Sequence, residues 1–171
     1  MAGAPYEIER KILVTAPDLG VLGDAATSVS DIVQTYLLND TGEVERVRRR
    51  EIRDSEGHRL QLTHTAKTAV SAGVVEERER EIDEDAYDEL LTRTDPARVP
   101  VVKTRWVVPF AERVLEIDRF SSPRELWLLE VELPSTDDLT AELVLPPWLT
   151  VLREVTGDPH YANAHLALRD T

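Results

Sequence analysis

The sequence has no cysteine, one methionine and two phenylalanines, and Phe, Trp and Tyr together supply only 5% of its 171 residues. Without thiols there is neither a disulfide framework nor a thiolate metal site. Basic residues are outnumbered: 20 Lys and Arg against 33 Asp and Glu leave a formal net charge of −13. That balance opposes general binding to a nucleic-acid backbone, where neutralisation of phosphate charge drives affinity. Long apolar runs are missing as well. Segments such as Val99 to Val102 and Leu126 to Leu129 are strand-length, far below the ~20 residues a membrane-crossing helix needs. No basic-then-apolar leader precedes Tyr6, so the expectation is a cytoplasmic protein without a membrane segment. Linkers rich in Gly or Ser and internal repeats are lacking too, and residues 1–171 are expected to form a single domain.

What remains is a chain of 42% apolar and 31% charged residues in which strand signals dominate. Period-2 alternation or β-branched enrichment marks Tyr6 to Val14, Ser28 to Leu38, Glu43 to Arg53, His58 to Lys67 and Val75 to Ile82. It returns in Val101 to Val108, Glu112 to Phe120 and Glu125 to Leu133, making eight strands. Ala16 to Ala26, opened by Pro17-Asp18, and Glu84 to Thr94, with Tyr87, Leu90 and Leu91 at helical spacing, predict short helices. After Pro146-Pro147, Trp148 to Glu154 reads as a helical turn or two. Asp158-Pro159 reads as the cap and first turn of a last helix through Leu168.

The charges are sorted by face. Successive strand side chains point to opposite sides, so Glu7, Glu9 and Lys11 share one face while Tyr6, Ile8 and Ile12 share the other. Arg46, Arg48 and Arg50 align likewise, as do Thr65 with Lys67, Glu77 with Glu79 and Glu81, and Lys103 with Arg105. Glu116 with Asp118 and Glu130 with Glu132 complete the pattern. A solvated face would favour mixed signs, because like charges at i, i+2 repel. A sheet closed with this face inward would gather carboxylates and cationic groups in one confined volume, where they need partners: divalent cations for the acids, a polyanion for the bases. A metal-bound oligophosphate satisfies both.

Glu7-Ile8-Glu9-Arg10-Lys11, an E-x-E-x-K strand close to the amino terminus, resembles the signature of the CYTH superfamily, the triphosphate tunnel metalloenzymes. Gln34-Thr35-Tyr36-Leu37, Arg46-Val47-Arg48, Thr65-Ala66-Lys67, Glu77-Arg78-Glu79, Lys103-Thr104-Arg105, Glu116-Ile117-Asp118 and Glu130-Val131-Glu132 resemble successive family elements in order. So does the stretch from Arg153-Glu154-Val155-Thr156-Gly157-Asp158 through Asn163-Ala164-His165-Leu166. The resemblance implies an α+β fold: an eight-stranded antiparallel closed β-barrel with helices packed outside and a carboxy-terminal helix near one mouth. It implies that Glu7, Glu9, Asp118, Glu130 and Glu132 hold Mg²⁺ or Mn²⁺, and that Lys11, Arg46, Arg48, Lys67, Arg105 and Arg153 bind the triphosphate. Lys11, Glu77, Glu79 and Lys103 are the positions it points to for catalysis, with Glu77 and Glu79 orienting the basic groups or contacting water.

The implied activity is metal-dependent hydrolysis of a triphosphate, with inorganic tripolyphosphate first because it needs nothing beyond the tunnel. Adenylate cyclase and thiamine or nucleoside triphosphatase activities are the alternatives within the family, and a non-catalytic polyphosphate-binding module is the alternative outside it. The partner expected is a small triphosphate-containing molecule acting on a monomer or homodimer. His58, His64, His160 and His165 are scattered without zinc-ligand spacing, and His160 stands where the family more often has arginine. Trp106 and Trp127 lie opposite the charges and are expected to pack the barrel exterior.

Overall fold

Alternating residues become nine strands in the computed structural model, which describes residues 6–169. They are β1 (Tyr6–Val14), β2 (Ser28–Leu37), β3 (Val44–Asp54), β4 (Gly57–Ser71), β5 (Val74–Glu81), β6 (Val101–Phe110), β7 (Arg113–Ser122), β8 (Leu126–Glu132) and β9 (Val151–Glu154). Eight run in the order β5-β4-β3-β2-β6-β7-β8-β1, every neighbour antiparallel, and β1 pairs back onto β5 through Tyr6, Glu7 and Ile8. The sheet is therefore a closed barrel, and β9 is an extra strand on β1.

The chain is inside-out relative to an ordinary barrel core. Ile12, Val14, Leu115, Ile117, Leu129 and Val131 face outward and are buried with Leu22 and Leu149. Leu22 belongs to α1 (Leu19–Ala25), whose N-cap Asp18 accepts a hydrogen bond from the Val21 amide at 3.0 Å. Trp106 and Trp127 stack in this outer layer, ring centroids 5.6 Å apart. Each large apolar side chain so covered contributes about 1.5–3 kcal/mol, and this exterior layer, together with the sheet ladders, holds the barrel. The second helix, α2 (Glu84–Leu91), is capped by Asp83 and lies beside β2, β3 and β4.

Two tail expectations need correction. The segment ending at Glu154 forms β9 rather than a helical turn, with Ile12 opposite Glu154 and Leu13 opposite Arg153. The cause is the barrel seam: β5 pairs with β1 only at Tyr6–Ile8, so the far half of β1 offers unpaired backbone groups that a strand can satisfy. The last helix is broken into a 3-10 turn, Pro159–Tyr161, and a four-residue α3 (Asn163–Leu166). Asp158 does cap that turn, accepting from the His160 amide at 3.0 Å. Leu166 and Ala167 pack against Tyr36, Val101, Phe120 and Leu128, which places the tail across one end of the barrel.

The β4–β5 turn is pinned beside the seam by Gly73, whose carbonyl accepts from the Glu9 amide at 2.9 Å. Its φ is 74°, and a Cβ there would lie 2.8 Å from the Glu9 carbonyl oxygen, so only glycine fits. Among the described residues, no helix is long and apolar enough to cross a membrane.

Candidate active site

Barrel closure brings the charged face to the centre. The interior holds a cavity of about 360 Å³. Glu7, Glu9 and Lys11 of β1, Glu130 and Glu132 of β8 and Glu116 of β7 line one part of its wall. Arg46, Arg48 and Arg50 of β3, Lys67 of β4 and Lys103 and Arg105 of β6 line another, with Glu77 and Glu79 of β5 between Lys67 and β1. In the ring of eight, β3 stands four strands from β8, so the arginine row faces the Glu130 strand across the lumen. Ala162, Asn163 and Ala164 line the closed end, where the Lys11 ammonium is 3.5 Å from the Tyr161 carbonyl.

Opposite charges meet throughout. Lys67 Nζ is 2.6 Å from Glu77 and also bonds Glu7; Arg48 Nη2 donates to Glu79 at 3.0 Å; Lys11 lies 3.2 Å from Glu130 and 3.5 Å from Glu9. Arg105 binds Asp118 through Nε at 2.6 Å and reaches Glu116 and Glu130 as well. Burial disfavours every one of these charges, and the local balance decides who keeps them. Burial and the nearby Glu130 push the Glu9 carboxyl up, and burial outweighs Lys67 to raise Glu7. Glu130 is different: Lys103, Lys11 and Arg105 override its burial and hold it well below the usual carboxylate range. Burial and the adjacent Arg46 bring Arg48 down to about 10. Glu130 and Glu9 overcome burial to keep the Lys11 ammonium charged, whereas burial and Arg105 lower Lys103 despite its contact with Asp118.

Of the residues singled out in the sequence, the structure gathers Glu7, Glu9, Lys11, Arg46, Arg48, Lys67, Glu77, Glu79, Lys103, Arg105, Glu130 and Glu132 around the one cavity. Asp118 shares the inward face of β7 with Glu116 but is fully buried, with both oxygens held by Lys103 and Arg105. Arg153 lies outside the cavity: its side chain is 58% exposed and donates to the Tyr161 hydroxyl at 3.1 Å. The cavity also includes Gln34, Tyr36, Arg50, Glu116 and Asn163, to which the sequence assigned no role. Alternation already puts Arg50 and Glu116 on the charged face. Gln34 carried a quieter signal, a polar residue at an inward position between Ile32 and Tyr36.

Among the described residues, no three acids or imidazoles converge as a ready-made metal cage, because the carboxylates turn to cationic side chains. The donor set nevertheless fits a hard divalent ion. Glu7, Glu9, Glu130 and Glu132 offer only oxygen, Glu9 is destabilised as an anion by burial and Glu130, and among the described residues Glu132 has no cationic partner within 4 Å.

A closed antiparallel barrel whose lumen is lined by carboxylates and by guanidinium and ammonium groups defines a tunnel protein with an ionic interior. No family model matches the chain. It is 33% identical over 165 residues to the inorganic triphosphatase of Acetivibrio thermocellus, covering 94% of this chain and 92% of that protein. It is also similar to the crystal structure of the inorganic triphosphatase NE1496, at 31% identity and a TM-score of 0.57 over 96% of this chain and 99% of that one. A putative adenylyl cyclase from Hippeastrum with dominant triphosphatase activity shares the fold at 19% identity, with a TM-score of 0.56 over 78% and 82% of the two chains. The chain belongs to the CYTH superfamily of triphosphate tunnel metalloenzymes, a family that implies a divalent metal and a triphosphate substrate.

Proposed function

We propose that this protein is an inorganic triphosphatase that uses Mg²⁺ or Mn²⁺ to hydrolyse tripolyphosphate to diphosphate and phosphate. The observation that carries the reading is the lumen itself. A buried ion-pair network of this size contributes little net stability compared with apolar packing, so its retention at the centre of the barrel is accounted for by a ligand bearing both charges. Two relatives at 33% and 31% identity are inorganic triphosphatases over nearly the whole chain.

In this reading Glu7, Glu9, Glu130 and Glu132 hold the metal, which when bound neutralises phosphate charge and lowers the pKa of a coordinated water. Lys11, Arg46, Arg48, Lys67 and Arg105 grip the phosphate oxygens, arginine by its planar fork. Asp118, buried beneath Lys103 and Arg105 on the same inward face as Glu116, acts by holding those two cations in place. Glu77 and Glu79 orient Lys67 and Arg48, with which they already pair. Arg153 sits outside the cavity wall, where it donates to the Tyr161 hydroxyl. Phosphoryl transfer asks chiefly for positioning and charge compensation, and this wall supplies both.

The test is phosphate release from tripolyphosphate, ATP, GTP and thiamine triphosphate, each with Mg²⁺ and with Mn²⁺, while cyclic AMP is assayed in parallel. Tripolyphosphate is expected to be turned over fastest. Cyclic AMP formation without tripolyphosphate turnover would identify a cyclase instead, and tight binding without turnover a sensing module.

A further inference from the structure

Gln34 sits in the middle of β2, 1% exposed, and lines the cavity beside the arginine row. Its Oε1 accepts a hydrogen bond from Arg46 Nη1 at 3.1 Å. Guanidinium can only donate, so the amide oxygen must be the atom facing Arg46 and the NH₂ group is turned away from it. That nitrogen is buried and has no acceptor among the described residues. Two neighbours share the condition: Arg46 Nε and Arg48 Nε are also buried without acceptors, and Arg48 is the residue paired with Gln34 across β2 and β3. Buried donors without partners are rare in folded proteins because each loses its water for nothing.

A cluster of three stranded N–H donors on one wall therefore calls for an acceptor from outside the chain. Beside two guanidinium groups, the acceptor that best matches three such donors is an anionic oxygen, as phosphoryl oxygens are. The amide also explains itself by its neutrality. Arg48 is already weakened as a cation by burial and by Arg46, and a third positive side chain at position 34 would deepen that repulsion. An amide adds a donor without adding charge.

We infer that Gln34 is a substrate-binding residue whose amide NH₂, aimed by the Arg46 contact, donates a hydrogen bond to a non-bridging phosphoryl oxygen of the bound triphosphate. The inference rests on the tunnel being a triphosphate site and names a contact the ion-pair network does not include. Two variants test it in the full-length chain, by calorimetric titration with tripolyphosphate in EDTA so that no turnover intervenes. Gln34→Met keeps the length and loses the donor; Gln34→Glu keeps the bond to Arg46 and replaces the donor with a second acceptor. Both are expected to weaken binding by about tenfold or more, as loss of a hydrogen bond to a charged group does; Gln34→Glu, which keeps the Arg46 contact, is expected to retain the melting temperature of the ligand-free protein, whereas Gln34→Met, which leaves Arg46 Nη1 unpaired, is expected to lower it. Unchanged affinity in Gln34→Met overturns the inference, and so does a loss confined to Gln34→Glu, which would be simple repulsion. If the wild-type chain binds tripolyphosphate neither in EDTA nor, by melting-temperature shift, in Mg²⁺, the triphosphate reading itself fails, an outcome separate from wild-type binding that the variants match.

Discussion

At the scale of single residues, the lumen contains carboxylates in two very different states. Glu130 is 6% exposed and serves Lys11 and Arg105 together, so it is already an anion with counter-charges in place. Glu7 is less enclosed, pairs with Lys67 alone, and is held up by burial. The two substitutions should therefore part company. Glu7→Gln is expected to cut metal-dependent phosphate release by about a hundredfold while the melting temperature stays within a few degrees of the wild type, because only one ion pair is altered. Glu130→Gln strips a buried counter-charge from two cations and should cost about 3 kcal/mol of stability in addition to the activity. Denaturant titration beside the phosphate assay separates them, and near-normal turnover in Glu7→Gln would remove that residue from the metal site. Most of this wall was legible in the sequence, since two-residue spacing alone puts Glu7, Glu9 and Lys11 on one side. Arg153 was not, because a residue beyond the last predicted strand has no face until its packing partners are known.

Among the elements, β9 is the one whose nature the sequence misstated. Its four residues are all exposed, and no alternation of that length can outweigh the helical look of Trp148 to Glu154. What decides it is β1, which runs past the end of its pairing with β5 and leaves backbone groups to be met. A side-chain clip reinforces the ladder: Arg10 Nε donates to Glu154 Oε1 at 2.9 Å and Arg10 Nη2 binds the other oxygen. Hydrogen bonding to Arg10 holds the Glu154 carboxyl below its ordinary value. A folded-state pKa depressed in this way contributes stability above the unfolded carboxylate value, and the contribution disappears as pH falls through the folded one. Glu154→Gln should accordingly cost up to about 1 kcal/mol near pH 7, a small figure because the side chain is 41% exposed and screened. The difference between variant and wild type should close as pH drops below about 4. Melting curves at both pH values check this, and a gap that persists in acid would mean that the clip is not ionic.

For the molecule as a whole, the barrel reverses the usual arrangement of apolar inside and charged outside. The outer face of the sheet is greased by α1 and the 139–149 segment, and the lumen is left to ions, of which Lys11, Lys67 and Arg105 pair with carboxylates while Arg46 and Glu132 have no ion-pair partner among the described residues. Ligands that take over those pairings shift the folding equilibrium by mass action. At fixed Mg²⁺, tripolyphosphate at a hundred times its Kd is expected to add about 2.7 kcal/mol, or roughly 5 to 10 °C in melting temperature. Scanning calorimetry across tripolyphosphate concentrations reads this directly, and a flat response would contradict a lumen that binds phosphate.

The sequence by itself determined the strand periodicity, the separation of charged from apolar faces and the order of motifs along the chain, because these depend only on where successive side chains point. The tertiary structure decided which acids and bases meet, that Asp118 is buried beneath Lys103 and Arg105, that the tail is a strand followed by a cap over one end, and that Gln34 faces the arginine row with a donor to spare. Those outcomes depend on which strands become neighbours when β1 closes on β5, and pairing between residues far apart in sequence is set by the register of the whole barrel rather than by any local pattern.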